Sequence, residues 1–411
     1  MERAPAPAEN AIDGPPAWRR LAAALALGTL GGVGMWSVVV ALPAVQADFG
    51  VDRGTASLPY TLLMVGFGLG GILMGRLTDR YGVARPLAGA IVALAAGYVL
   101  AGLAPSLALF ALAHGLLIGA LGASAFFGPL MADTSHWFAR RRGLAVSIVA
   151  CGNYLAGTLW PPVVQHLIET VGWRQAHIGI GVFCLVTMLP LTLAMRRAAP
   201  HLRAGTTAAA GAAAARPLGL SPHALQGLLI VAGVACCVAM AMPQVHIVAY
   251  CGDLGYGAAA GAQMLSLMLG FGIVSRLASG WIADRIGGLR TLLLGSFLQG
   301  VALLLYIPFN DLWSLYVISA LFGLFQGGIV PSYAIIVREH FAPKEAGSRV
   351  GLCVMATLFG MAFGGWLSGE IFDLTGSYTA AFVNGLLWNL VNLSVVLWLL
   401  RRPGARRLAA A

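Results

Sequence analysis

The chain has 411 residues, 59% of them hydrophobic and only 10% charged, with a mean hydropathy of +0.83. A water-soluble domain carries about 25% charged residues, so the composition excludes a protein whose whole surface faces water. The net charge of +10 raises nucleic acid as a partner, but the placement of those charges, described below, argues against it.

A tail, 1–17, leads to the first apolar run at 18–47. Eleven more follow: 54–75, 86–104, 107–132, 144–167, 174–195, 224–250, 258–283, 290–308, 312–335, 350–371 and 378–400. Most reach the roughly 20 residues a spanning helix needs. No period-2 alternation dominates, which argues against a β-barrel. The first run ends in Ala44-Val45-Gln46-Ala47, but it is far longer than the roughly 7–15 residues of a signal-peptide core, so it is read as retained. The expected fold class is an all-α integral membrane protein of twelve transmembrane helices in two pseudo-symmetric six-helix bundles.

Residues 196–223 break the pattern. They are Ala-rich, basic at both ends and punctuated by Gly and Pro, as suits a linker. The expected organisation is a cytoplasmic tail 1–17, a bundle 18–195, a cytoplasmic linker 196–223, a second bundle 224–400 and a cytoplasmic tail 401–411. With both termini cytoplasmic, Arg53 and Arg174 fall outside and Arg276 falls within a span. That leaves 22 of the 25 Arg and Lys on the cytoplasmic side, which is the positive-inside rule. The charge therefore serves topology, and no nucleic-acid partner is expected. All fifteen acids can be placed at loops, tails or span ends.

The six cysteines have no CxxC spacing and no paired histidines, so no metal site and no disulfide framework is expected. The Gly-rich stretches follow no strand and precede no Gly-Lys-Ser/Thr, so they are not nucleotide loops. No cofactor is expected. No Ser-His-Asp set or His/Glu cluster shares one depth, which argues against an enzyme. A sensor would carry a further soluble domain.

The two halves resemble one another. GRLTDRYG (75–82) and GWIADRIG (280–287) match in their glycines, Asp and Arg at an offset of 205 residues. HWFARRRGLA (136–145) and EHFAPKEAGSRVGL (339–352) each place His and Phe at a helix end before a basic segment. Repeated six-span halves are a transporter architecture.

The G-x-L-x-D-R-x-G-x-x-R segment resembles the signature loop between spans two and three of the major facilitator superfamily, and the resemblance covers essentially the whole chain. It implies that Gly75 permits close helix approach and that Asp79 caps or pairs with a neighbouring helix end. It implies that Arg80 and Arg85 join a cytoplasmic conformational latch, with Asp284, Arg285, Arg140 and Arg141 in the corresponding segments. Fixing topology is the alternative role of these charges. Trp137 to Ala145, continuing to Cys151-Gly152, is similar to the span-five signature of the monocarboxylate and oxalate/formate transporters. Gly31 to Trp36 partly matches that group's span-one signature, and Arg276 matches its span-eight arginine. Leu30 and Gly272 stand where members of that group carry acids, so a carboxylate proton relay is not implied here.

Arg276 lies eight residues before Asp284, about 12 Å along a helix and near the middle of a hydrocarbon core about 30 Å thick. An arginine there costs at least ~3 kcal/mol and marks a functional site. No Asp or Glu stands at comparable depth in any span. The expected counter-ion is a carboxylate cargo, which a guanidinium holds bidentately; backbone carbonyls, water or aromatic faces are the structural alternative. The expected cargo-site companions are His246, Gln326 and Tyr333 in the second half, with Asn153, Tyr60, Trp36 and Asn384. Helix-to-helix hydrogen bonding is the competing role for each. His246 either meets cargo or a proton, or is bonded to a backbone carbonyl. His114 lies close to an outer helix end and is not expected to contribute.

The expected function is secondary active transport of a small organic anion, a monocarboxylate first of all, with cargo bound between the halves and exposed to each side in turn. Proton coupling, exchange and uniport stay open. An efflux carrier for larger hydrophobic compounds, with Arg276 structural, is the alternative. The lipid bilayer, the anion and possibly protons are the expected partners, the chain is expected to be monomeric, and a bacterial inner membrane is the expected location.

Overall fold

The computed structural model describes residues 12–197 and 217–402. Residues 1–11, 198–216 and 403–411, which include most of the expected linker and both tail ends, lie outside the described residues. Every regular element among the described residues is helical. Eleven helices are long and apolar enough to cross a membrane: Pro15–Phe49, Arg53–Tyr81, Ala84–Gly102, Leu107–Ser135, Arg142–Met195, Pro222–Asp253, Ala258–Ile286, Gly288–Leu305, Leu312–His340, Glu345–Thr375 and Tyr378–Leu400. The fifth of these has 54 residues. Straight, it would be about 80 Å long, more than twice the thickness of a bilayer core. Gly172 breaks it at φ 82, ψ 157, a backbone that a residue without Cβ adopts readily. Residues 142–171 and 173–195 thus supply the fifth and sixth crossings, and the fold is the expected twelve-span all-α membrane architecture.

The short connections carry the terminators that the sequence supplies. Ser106, Ser221, Asp311 and Ser377 each accept a backbone N–H in the first turn of the helix they precede, satisfying donors a helix start leaves orphaned. Gly376, at φ 67, closes the eleventh span in the left-handed conformation. Leu69, Leu103, Val186, Trp313 and Leu374 are exposed, an arrangement suited to lipid rather than water.

The described residues divide into two compact units. One holds those up to Val45 together with those from Leu62 through the sixth span. The other holds Gln46–Thr61 and everything from the seventh span on. The end of the first span and the first nine residues of the second therefore belong to the second unit, so the division does not fall at the linker alone.

The same close packing recurs in each unit. In the first, a Cβ on Gly66 or Gly70 would come within 2.0 Å of Gly115 O or 2.1 Å of Ala120 O, so the second and fourth spans touch backbone to backbone. In the second, a Cβ on Gly323 or Gly327 would come within 1.9 Å of Met268 O or 2.4 Å of Gly272 O, joining the eighth and tenth spans in the same way. Small residues at such crossings replace the hydrophobic drive that lipid cannot provide.

Both of these partner spans are discontinuous. The fourth runs from α-helix into a π-helical segment at Ala113–Gly122, a 3-10 turn at Ala123–Phe126 and a new α-helix at Gly128, with Pro129 in its first turn. The tenth breaks between Gln326 and Ile329. Two consecutive glycines there weaken the helix. Pro331, lacking an N–H, removes the bond that would have tied it to Gly327 O. Broken helices are where transporters build their binding sites.

Candidate functional site

The break in the tenth span gathers the polar groups at the centre of the second unit. Gln326 ends the first half-helix, is fully buried, and accepts from Gln244 Nε2 of the seventh span at 2.7 Å. Gln326 Nε2 is buried with no hydrogen-bond partner among the described residues. A buried N–H left unsatisfied costs about 1–3 kcal/mol, so this pair offers a donor that an arriving acceptor would satisfy.

Gly327 and Gly328 lie directly against Gly272, Ser275 and Ser279 of the eighth span. Arg276 follows Ser275 and stands one turn after Gly272, so it belongs to the same side of that helix and is half-buried there. The glycine pair thus fixes how the backbone that carries Arg276 is seated against the helix break. A cation, an unsatisfied amide donor and an interrupted backbone at one level suit an anion.

A second cluster forms where the first half of the second span meets the seventh, eleventh and twelfth. Arg53 grips Asp253 through both terminal nitrogens, at 3.0 and 3.2 Å, and donates to Tyr378 Oη and, at 2.7 Å, to Gln46 Oε1. Its guanidinium lies 4.6 Å from the Phe372 ring centre. The Asp373 carboxylate accepts the backbone N–H groups of Arg53 and Gly54 at 2.9 and 2.6 Å. A Cβ on Gly369 would sit 2.8 Å from Gly54 Cα, so the eleventh span touches this segment directly. His246 is fully buried, with Nδ1 3.1 Å from Tyr378 Oη and Nε2 2.8 Å from Gly365 O. The ring of Tyr60 packs on the same Gly365. Tyr60 and His246 are therefore brought together, in a cluster distinct from the Gln244–Gln326 pair.

In the first unit, Trp36 and Asn153 meet: the indole N–H donates to Asn153 O at 3.2 Å, and Asn153 Nδ2 lies 3.5 Å from Met35 Sδ. Met35 and Asn153 border a small cleft lined by Phe67, Phe126 and Phe127. Tyr333 instead accepts from Asn392 Nδ2 at 2.9 Å and faces Cys236 Sγ at 3.4 Å. That places it in the buried packing of its own unit rather than at the tenth-span break. Asn384 is half-buried on the twelfth span. His114 is fully buried in an aromatic cluster with Phe110, Tyr98 and His177, and its Nδ1 bonds Phe110 O.

The signature loop departs from expectation at Gly75. A Cβ there would meet open space, as it would at Gly280. Close approach is made two turns and one turn earlier, by Gly66 and Gly70, because those positions face the fourth span. Asp79, Arg80 and Arg85 are exposed, and Asp79 and Asp284 form no ion pair among the described residues. Asp79 and Arg85 line a cavity of about 1050 Å³ with Arg20, Asp133, Arg196 and Arg197. Arg285 stacks on Trp281 and Arg80 on Tyr81. Arg140 and Arg141 are exposed. The backbone N–H groups of Ala139 and Arg140 donate to Asp13 Oδ2 at 3.2 and 3.0 Å, and these bonds, chiefly Arg140's, hold the Asp13 carboxyl below its ordinary range.

Two hubs were not singled out from sequence. Arg20 forms a bidentate pair with Asp133 at 2.7 and 2.8 Å, donates to Ala194 O and Met195 O, and lies over Trp137. Arg53 is the other. Arg53 and Arg174 were the two basic residues off the positive-inside side, and that exception was the available signal. Arg174 donates to Ala104 O at 2.6 Å and lies over Trp173, helping to close the end of the third span.

A family model described as Major Facilitator Superfamily matches residues 24–311 and 279–410. Monocarboxylate transporter 13 of Rattus norvegicus is 30% identical over 336 residues, covering 80% of this chain and 75% of that protein. The MFS-type transporter YcxA of Bacillus subtilis is 25% identical, covering 82% and 83%. Among solved structures, a peptide transporter POT in complex with sulfate superposes with a TM-score of 0.74 at 13% identity, covering 96% of this chain and 95% of that one. That likeness is one of fold.

Proposed function

The chain belongs to the major facilitator superfamily of membrane transporters, and from that premise we propose that it is a secondary active transporter of a small organic anion, a monocarboxylate first of all, working by alternating access. The observation that carries the anion reading is the placement of Arg276 mid-span, at the level of the tenth-span break and the Gln244–Gln326 pair. Its 30% identity to a relative named a monocarboxylate transporter supports a carboxylate over other anions. Arg276 holds the carboxylate, with Gln326 Nε2 as a second donor. Tyr60, His246, Tyr333 and Asn384 in the second unit, and Trp36 and Asn153 in the first, are the proposed supporting residues. Gly75, Asp79, Arg80, Arg85, Arg140, Arg141, Asp284 and Arg285 serve the conformational latch. The distribution of Arg and Lys supports cytoplasmic termini, and a bacterial inner membrane is the proposed site, with residues 18–195 and 224–400 as the two bundles of a monomer.

Uptake of lactate, pyruvate, formate and oxalate into proteoliposomes tests this. A charge-assisted hydrogen bond contributes about 1.5–3 kcal/mol, so Arg276→Ala lowers apparent affinity by about 10- to 100-fold. Arg276→Lys keeps the charge, loses the fork and falls between. Equal uptake by wild type and Arg276→Lys removes the bidentate contact. Transport of diverse lipophilic compounds that is indifferent to Arg276→Ala replaces the reading with hydrophobic efflux. Charge moved per cargo separates proton symport from exchange.

A further inference from the structure

The hydrogen bonds around His246 have only one consistent direction. Gly365 O can only accept, so Nε2 carries the ring hydrogen. Nδ1 is then an acceptor, and Tyr378 must donate its O–H to it. The Tyr378 oxygen in turn accepts from Arg53. The chain runs Arg53 to Tyr378 to His246 to Gly365, and it closes only with a neutral imidazole. At its other end Arg53 is fastened to Asp253, whose side chain is 37% exposed, so water reaches one end of the chain and not the other.

A second proton on the ring has one nitrogen to take it. Placed on Nδ1, it confronts the Tyr378 O–H, and the phenol must turn its hydrogen away. Its oxygen would then lie between an imidazolium and a guanidinium, both buried, where like charges repel strongly. The surrounding groups do not relieve this. From the second span, Arg53 and Tyr60 face the ring region; from the twelfth, Tyr378. From the eleventh come Asp373, committed to the Arg53 and Gly54 N–H groups, and Glu370, beside Gly54. From its own span, Tyr250 meets Tyr378 edge-on, Asp253 holds Arg53 and Cys251 meets Met264 of the eighth. The tenth span brings Tyr333 only at Cys236, ten residues away.

We propose that His246 is the proton-binding site of the transport cycle, and that a proton taken from water onto its Nδ1 unfastens Gln46–Thr61 from the second unit by breaking the Tyr378–Arg53 link. The inference rests on the transporter reading above and deepens it: the driving ligand is a proton, carried by an imidazole rather than a carboxylate. The clasp is closed while His246 is neutral and opens as pH falls. Only an N–H bond forms, and the same proton leaves when the clasp re-forms.

Hydrogen exchange of the full chain in nanodiscs tests this without any cargo, so its outcome is separable from the anion assay. At about pH 8 and about pH 5, either side of the ordinary imidazole range, wild-type exchange is compared after correction for intrinsic rates. Protection of 46–61 is expected to fall at least about tenfold on acidification, one pKa unit's worth, while 84–102 is unchanged. His246→Gln is expected to keep 46–61 protected at both pH values. Tyr378→Phe, which leaves the imidazole but cuts the link, is expected to give weaker protection that no longer responds to pH. Wild-type protection that ignores pH, or a pH response of wild-type size in either variant, overturns the proposal.

Discussion

Gly327→Ala isolates the positioning argument. Gly327 is helical, at φ −59 and ψ −24, so alanine suits the backbone and only space is at issue. Its Cβ would stand 2.4 Å from Gly272 O and 2.8 Å from Ser275 Cβ, against an ordinary contact of 3.4–4 Å. The nearer of these atoms is backbone, so relief requires the eighth span to move by about 1 Å, taking Arg276 with it. Overpacking of this kind costs about 1–3 kcal/mol. At 1.4 kcal/mol per factor of ten, displacement of the guanidinium lowers apparent affinity for the anion by about tenfold or more. Gly280→Ala is the control: it lies one turn from Arg276 on the same helix, and nothing stands within 4 Å of its Cβ. It should leave affinity unchanged and raise stability by up to about 0.5–1 kcal/mol. Thermal melting in detergent and concentration-dependent uptake read both effects. Identical behaviour of the two variants would refute the claim that the glycine pair seats the backbone that carries Arg276.

At the Arg20–Asp133 pair, Arg20→Met alone should cost about 3–5 kcal/mol because it strands a buried carboxylate, whereas Arg20→Met with Asp133→Leu should recover much of that; a double variant less stable than either single one would contradict the assignment. At Asp13, the native carboxyl titrates below its unfolded value. Its contribution is therefore present above the unfolded pKa and is lost as pH falls through the folded one. Amide exchange at Ala139 and Arg140 should quicken in Asp13→Asn and, in the wild type, only at acid pH.

Much of the architecture was legible in the chain alone. Twelve apolar runs, a low-complexity linker and paired motifs 205 residues apart led to a helical membrane transporter. Hydrocarbon leaves a backbone no other partner than its own helix, so hydropathy alone writes the spans. The expected depth of Arg276 came from counting residues at a fixed rise. Even Gly172, between the fifth and sixth runs, stood where a turn was needed.

What the chain could not disclose was which side chains meet across helices. Gly75 and Gly70 look equivalent in sequence, but only Gly70 faces a neighbour, because facing depends on helix rotation, which packing sets. Arg53 was counted as an exception to charge placement, whereas tertiary contacts made it the centre of a clasp with Asp253, Tyr378 and Asp373, residues 200 or more positions away. His246 was open between cargo, proton and backbone until the fold put Gly365 O on one ring nitrogen and Tyr378 on the other. Sequence determines what crosses the membrane and at what depth, through local physics of transfer from water. Partnership between residues hundreds of positions apart is decided only when the helices pack.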